Sequence, residues 1–220
     1  MRKAVIFDMD GTLVDTEPIY HRCNVALYKH LGVEINRELY ESFVGIDSKK
    51  KWATIKERGQ LSQSVEELMM LSKQYKLEAL EVATIKVFAG VIELIDELLN
   101  NDIKLALASS SNWKTIDQNL SKTGLDKYFG LKVSGEDIDN GKPAPDIFLA
   151  AAQLLNCVPE QCMVLEDSKN GVLGSLAANM ITVGHKDSNS RQDLSMAHLV
   201  IDSYSNDNRD LILDLIGLSK

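Results

Sequence analysis

Short, uninterrupted aliphatic runs that stop abruptly at a carboxylate or a hydroxyl constrain this chain more than any other feature. Ala4-Val5-Ile6-Phe7 runs straight into Asp8, and the run 162–165 ends at Glu166-Asp167. The same texture recurs at 103–108 ahead of Ser109, at 180–183 and at 199–201, with a weaker instance at 131–133. Runs of this length without polar alternation fit strands buried on both faces. Helical patterns lie between them. Val91, Ile92, Leu94, Ile95, Leu98 and Leu99 repeat with helical spacing, as do Ile147, Phe148, Ala151, Ala152, Leu154 and Leu155. Strands alternating with helices predict an α/β fold, a doubly wound parallel sheet covered by helices.

The stretch after the first strand breaks that rhythm. It offers no convincing buried strand, but helical segments at 19–31, 37–44, 48–58 and 65–83. We therefore expect a discontinuous α/β core, 1–15 and 88–220, with a small helical domain inserted at 16–87. The connections at 13–16 and 86–90 are the expected hinges. Segments 186–193 and 203–210 are polar enough to read as surface loops.

Composition narrows the function classes. The 220 residues carry 24 basic and 32 acidic side chains, a net charge of −8. That balance disfavours a nucleic-acid binder, which needs concentrated positive charge, yet leaves room for a small anion held by local cations. No apolar stretch approaches the ~20 residues of a membrane span, and Asp8 and Asp10 interrupt the N-terminal run too early for a signal peptide. Cys23, Cys157 and Cys162 form no CxxC pair and read as reduced thiols, so the expected compartment is the cytoplasm. The histidines at 21, 30, 185 and 198 have no zinc-ligand spacing. Nothing demands more than a monomer.

Four fragments stand at strand ends or nearby: Asp8-Met9-Asp10-Gly11-Thr12, Ser109-Ser110-Ser111, Gly141-Lys142-Pro143 and Glu166-Asp167. In a parallel α/β sheet the C-terminal strand ends share one edge, where such sheets bind ligands. Asp8, Asp10, Glu166 and Asp167 would converge there with a lysine and a cluster of serines. Crowded carboxylates repel, and a hard divalent cation with oxygen ligands, Mg²⁺ above all, relieves them. Lys142 and the serine hydroxyls would complete an anion cradle.

In that order and texture the four fragments resemble the motifs of the haloacid dehalogenase superfamily, over nearly the whole chain. Val14-Asp15-Thr16-Glu17-Pro18 and Lys142-Pro143-Ala144-Pro145-Asp146-Ile147-Phe148 are similar to the branch with a small helical cap, which contains β-phosphoglucomutase and related sugar-phosphate phosphatases. The resemblance implies a Rossmann-like core and assigns roles. Asp8 is the nucleophile that forms an aspartyl-phosphate, and Asp10 the general acid and base. Ser109 and the Ser110 amide hold phosphoryl oxygens, and Lys142 neutralises developing charge. Mg²⁺ would sit among Asp8, Asp10 through its main-chain carbonyl, and Asp167, with Glu166 close by. Asp10 argues against a dehalogenase proper, which does not use the second aspartate.

The remaining candidates carry less. Glu17, Gly45 and Lys49 are the cap residues we expect to read the substrate, whereas His21 and His30 read as surface positions and Met69-Met70 as core packing. Asn179 stands where the family usually has glycine, and Asn is the second choice for a left-handed helix cap. The mutase-like branch has a histidine where this chain has Tyr20; His21 falls one place later, about 100° around a helix. The expected activity is therefore Mg²⁺-dependent phosphatase action on a small phosphorylated metabolite, a sugar or polyol phosphate. A phosphosugar mutase is the alternative. A non-enzymatic phosphate-binding or regulatory protein is the second, though no motif residue is missing to favour it.

Overall fold

The computed structural model describes residues 3–36, 39–40, 43, 48–188 and 190–218. The chain divides into two compact units, one of Met1–Asp15 with Ile85–Lys220 and the other of Thr16–Thr84. In chain order the strands are β1 (Ala4–Phe7), β2 (Val14–Asp15), β3 (Lys86–Val87), β4 (Lys104–Ser109), β5 (Lys132–Ser134), β6 (Cys162–Glu166), β7 (Ile181–His185) and β8 (Leu199–Ile201). The helices are α1 (Glu17–His30), α2 (Ser48–Gly59) and α3 (Val65–Val82) in the smaller unit. Those of the larger unit are α4 (Val91–Asn100), α5 (Trp113–Thr123), α6 (Asp146–Leu154), α7 (Lys169–Ala177) and α8 (Asn206–Ile216).

The larger unit is built on a six-stranded sheet of order β5-β4-β1-β6-β7-β8. Every pairing in it is parallel. The expected α/β doubly wound fold is present. All four residues of β1 are fully buried, as its unbroken apolar run requires. One face of the sheet receives Ile147, Phe148, Ala151, Ala152 and Leu155, which pack with Ala4, Ile6, Ala106, Ala108, Cys162 and Val164. On β1 the side chains alternate faces, and Phe7 stacks edge-on against Phe129, 5.7 Å between centroids.

The register decides where chemistry can happen. β1 lies between β4 and β6, with Phe7 opposite both Leu107 and Leu165. Asp8, Ala108 and Glu166 therefore emerge level with one another at the C-terminal edge. Connections diverge to either side of β1, the kind of switch point at which open α/β sheets bind ligands.

Several strands run one or two residues beyond their apolar stretches, into Ser109, Ser134, Glu166 and His185. Ladder hydrogen bonds do not end where side-chain polarity begins. The ribbon formed by β2 and β3 is antiparallel, pairing Val14 with Val87 and Asp15 with Lys86. The segments read as hinges thus include a paired ribbon, and the smaller unit closes at Thr84 rather than at residue 87. The expected loop 203–210 is corrected: Asn206 to Asp210 open α8, with Ser205 Oγ accepting from the Asn208 N–H. Its polar start is the exposed first turn of a helix that buries Ile212, Leu213 and Ile216.

In the smaller unit α3 packs on α1 and α2 around Leu27, Tyr28, Trp52, Ile55 and Leu68. A capping box starts α3: Ser64 Oγ accepts from the Glu67 N–H and the Glu67 carboxylate from the Ser64 N–H. Met69 packs against this core, but Met70 is 72% exposed and does not join it. Adjacent helical positions point about 100° apart, so a core on one side takes only one of the pair. The expected helix at 37–44 falls largely outside the described residues. None of the helices described is long and apolar enough to cross a membrane.

Gly90 enters α4 with φ of 89°, and a Cβ there would lie 2.0 Å from the Tyr204 carbonyl oxygen. Both the left-handed backbone and the collision oppose a side chain, so Gly90→Ala should cost at least about 3 kcal/mol, measurable by urea denaturation.

Candidate active site

A single buried ammonium ties three strand ends together. Lys142 Nζ donates to Asp8 Oδ1 at 2.6 Å, to Glu166 Oε1 at 2.6 Å and to the Ala108 carbonyl at 3.2 Å. Its side chain is 7% exposed, that of Asp8 9% and that of Glu166 1%, so these are interior ion pairs. The Phe148 ring lies beneath the ammonium, 5.0 Å from Nζ to the centroid. Glu166 is engaged on its other side as well: Oε2 accepts from the Ser168 N–H at 2.8 Å and the Ser168 hydroxyl at 2.9 Å. Ser168 Oγ in turn caps α7 by accepting from the Gly171 N–H. Gly171 has no room for a Cβ, which would fall on the Glu166 carboxylate.

The chain leaves β1 by a sharp turn. Gly11 has φ of 82°, and a Cβ there would meet Asp167 Oδ2 at 2.1 Å. Glycine is thus required twice over, for the backbone and for the close approach of Asp167. Asp10 makes an isolated bridge with Val14. Its Oδ2 accepts from the Ser111 hydroxyl at 3.0 Å. Ser111 is itself fixed: its N–H donates to Ser109 Oγ and its carbonyl accepts from Ser134 Oγ. The serine loop therefore reaches Asp10 through Ser111, while Ser109 is buried and Ser110 exposed. The residue capping α5 is Asn112, whose Oδ1 accepts from the Thr115 N–H, so Ser109 is not needed for that task.

The charges do not balance within the protein. Burial first, then the neighbouring charges of Glu166 and Asp10, push the Asp8 carboxyl up to about 7, even with Lys142 beside it. Asp167 is raised well above the ordinary carboxylate range by burial and by Glu166, Asp8 and Asp10. Burial alone would lower Lys142; Asp8 and Glu166 reverse that and hold it above the usual lysine value. One lysine faces more carboxylates than it can neutralise, and this donor set fits a hard cation. No group of three or more His, Cys, Asp or Glu side chains among the described residues could cage a metal. Mg²⁺ does not need such a cage, since it keeps several waters and takes one or two carboxylates plus substrate phosphate.

Of the expected residues, the larger unit brings Asp8, Asp10, Ser109, Lys142, Glu166 and Asp167 to one edge. Glu166 is there as the anchor of Lys142. In the smaller unit Glu17 opens α1 as its first-turn acid. Gly45 lies outside the described residues. Lys49 is exposed and pairs with Glu66 at 3.6 Å. Within the run Lys49-Lys50-Lys51 the residue with a distinctive setting is Lys51, whose ammonium lies 5.9 Å from the Tyr28 ring centroid and 5.7 Å from that of Trp52. Burial, with Lys76 adding to it, pushes its pKa down to about 8. Sequence reasoning takes Lys49, Lys50 and Lys51 as one charged run, one of which could point into the cleft, and gives Ser111 no role of its own; the packing of α2 around Trp52 is what separates Lys51 from its neighbours. His21 is exposed and meets Tyr40 edge-on.

Known proteins resemble this chain along most of its length. The chain is 33% identical over 178 residues to a phosphorylated carbohydrates phosphatase of Thermotoga maritima, covering 81% of this chain and 82% of that one. It is 29% identical over 188 residues to the β-phosphoglucomutase of Bacillus subtilis, covering 83% and 82% of the two chains. The crystal structure of a β-phosphoglucomutase from Clostridium difficile superposes with a TM-score of 0.82 at 29% identity, covering 99% of this chain and 98% of that one. Residues 5–185 match the haloacid dehalogenase-like hydrolase family, and it is to this family that the chain belongs.

Proposed function

We propose that this hydrolase is a Mg²⁺-dependent phosphatase of small phosphorylated metabolites, sugar or polyol phosphates, working through an aspartyl-phosphate. The observation that carries the reading is the Lys142 bridge from Asp8 to Glu166, set beside an Asp10 held by Ser111. An Asp8 oxygen attacks phosphorus as the ester P–O bond breaks, and Asp10 protonates the departing oxygen. Water then attacks the aspartyl-phosphate while Asp10 takes its proton, releasing inorganic phosphate and restoring Asp8. Lys142, tethered to Glu166, neutralises charge on the nucleophile and the transferring group; Ser109 and the Ser110 amide hold phosphoryl oxygens. Asp8, the Asp10 carbonyl and Asp167 would hold Mg²⁺, which supplies positive charge to the phosphoryl oxygens. The relative named a phosphorylated carbohydrates phosphatase supports the substrate class.

A mutase is the second reading, favoured by the relatives named β-phosphoglucomutase. It would return the phosphoryl group to another sugar hydroxyl. The exposure of His21 and the tyrosine at position 20 favour hydrolysis instead.

Asp8→Asn should lower phosphate release from the best substrate of a sugar- and polyol-phosphate panel by at least about 10³-fold. Equal activity in the two proteins would sink the covalent mechanism. With β-glucose 1-phosphate and its bisphosphate activator, free phosphate rather than glucose 6-phosphate is the expected product.

Without metal, the raised Asp8 pKa means that the folded chain keeps a proton the unfolded chain has lost between about pH 4 and 7. Metal-free stability therefore falls as pH rises through that window. Mg²⁺ needs the ionised carboxylate, so it should raise the melting temperature more at about pH 8 than at about pH 5.

Lys51, half-buried beside the Tyr28 and Trp52 rings, is the residue of the smaller unit we assign to leaving-group selection. Lys51→Ala should cut kcat/KM for the preferred substrate about 10-fold and reorder the panel. Lys49→Ala, at an exposed position, should do neither.

A further inference from the structure

We propose that His185 is a positioning residue for Asp10, acting through the Gly11 carbonyl, with Tyr204 as its companion on the next carbonyl; the proposal rests on the reading of Asp10 as general acid and base. His185 ends β7, is 2% exposed, and has no part in the phosphoryl chemistry. Its Nδ1 lies 2.7 Å from the Gly11 carbonyl oxygen, 174 positions away in sequence. A carbonyl only accepts, so Nδ1 carries the proton. Tyr204, 1% exposed, donates its hydroxyl to the Thr12 carbonyl at 3.0 Å, 192 positions away. Two successive carbonyls immediately after Asp10 are thus held by side chains from the far end of the chain.

The imidazole is itself held on both sides. The Phe88 ring meets it edge-on at 4.6 Å, and the Tyr204 ring lies against it at 4.8 Å and 31°. Phe88 follows β3 directly, and its N–H donates to the Leu13 carbonyl, closing the bracket on the same turn. Burial pushes the His185 pKa below the usual histidine value, which keeps the ring a neutral, fixed donor. Gly11 has a left-handed backbone, and glycine resists wandering poorly by itself. The Gly11–Thr12 peptide belongs to the turn, closed by the Gly11 N–H on the Val14 carbonyl, that directly follows Asp10. Losing the donor lets that turn drift, and drift of an ångström at a reacting group costs about 10²-fold in rate.

The test uses two esters that differ in their need for a proton. A sugar or polyol phosphate expels a poor alkoxide and needs Asp10 as acid, whereas p-nitrophenyl phosphate expels a stable phenolate and does not. Single-turnover release of the alcohol or nitrophenol isolates the first step, and melting curves monitor folding. His185→Phe keeps a ring between Phe88 and Tyr204 but lacks the donor. It should lose about 10²-fold on the alkyl ester with KM little changed, and only a few-fold on the aryl ester. His185→Asn, whose amide places a donor near the Nδ1 position, should recover most of the loss. Equal losses on both esters, or His185→Asn no better than His185→Phe, would overturn the proposal. Asp10→Asn separates the two ideas. If it discriminates between the esters and His185→Phe does not, the positioning role alone fails; if Asp10→Asn hits both equally, the general-acid reading fails and takes the proposal with it.

Discussion

The Lys142 ammonium is the interaction on which the rest of the edge depends. It joins β1, β4 and β6 by accepting nothing and donating to a carboxylate, a carbonyl and a second carboxylate. An unpaired charge buried to this degree would be costly, so each partner is required by the others. The constraint then propagates. Glu166 must present one oxygen to Lys142, so its other oxygen takes Ser168, which starts α7, whose first turn must carry Gly171 to make room.

The same edge shows how local charge can depart from that of the whole protein. The net charge of −8 describes the surface as a whole. Locally, the raised pKa values of Asp8 and Asp167 mark a cluster that lacks positive charge when it holds only protein. Crowded carboxylates of this kind are relieved by a proton or by an added positive charge, and the raised values record the first of these.

Much of this was legible in the residues. Unbroken aliphatic runs announce strands buried on both faces, because a parallel sheet covered by helices leaves no wet face to demand alternation. That logic finds β1, β4 and β6 and puts Asp8, Ser109 and Glu166 at their ends. It fails at the start of α8, where Ser205, Asn206, Asp207 and Asn208 look like a loop because capping residues and turn residues are the same types. It fails again at Met70, since two adjacent methionines cannot both face one core. At the site, Asp10 was evident but its partner was not. Three consecutive serines are equivalent in sequence, and only backbone geometry decides that Ser111 turns to Asp10 while Ser110 faces solvent.

Sequence alone therefore determined the local facts: which segments form the strands of the main sheet, which residues can carry charge or protons, and that glycine follows Asp10. Those follow from periodicity and side-chain chemistry, which act over a few residues. Tertiary structure alone decided the pairings across the chain: Phe7 level with Leu107 and Leu165, Lys142 between Asp8 and Glu166, His185 and Tyr204 on the carbonyls beyond Asp10. The physical reason is that strand order and register are set by how the whole apolar surface is buried, a global minimum that no short window of sequence contains.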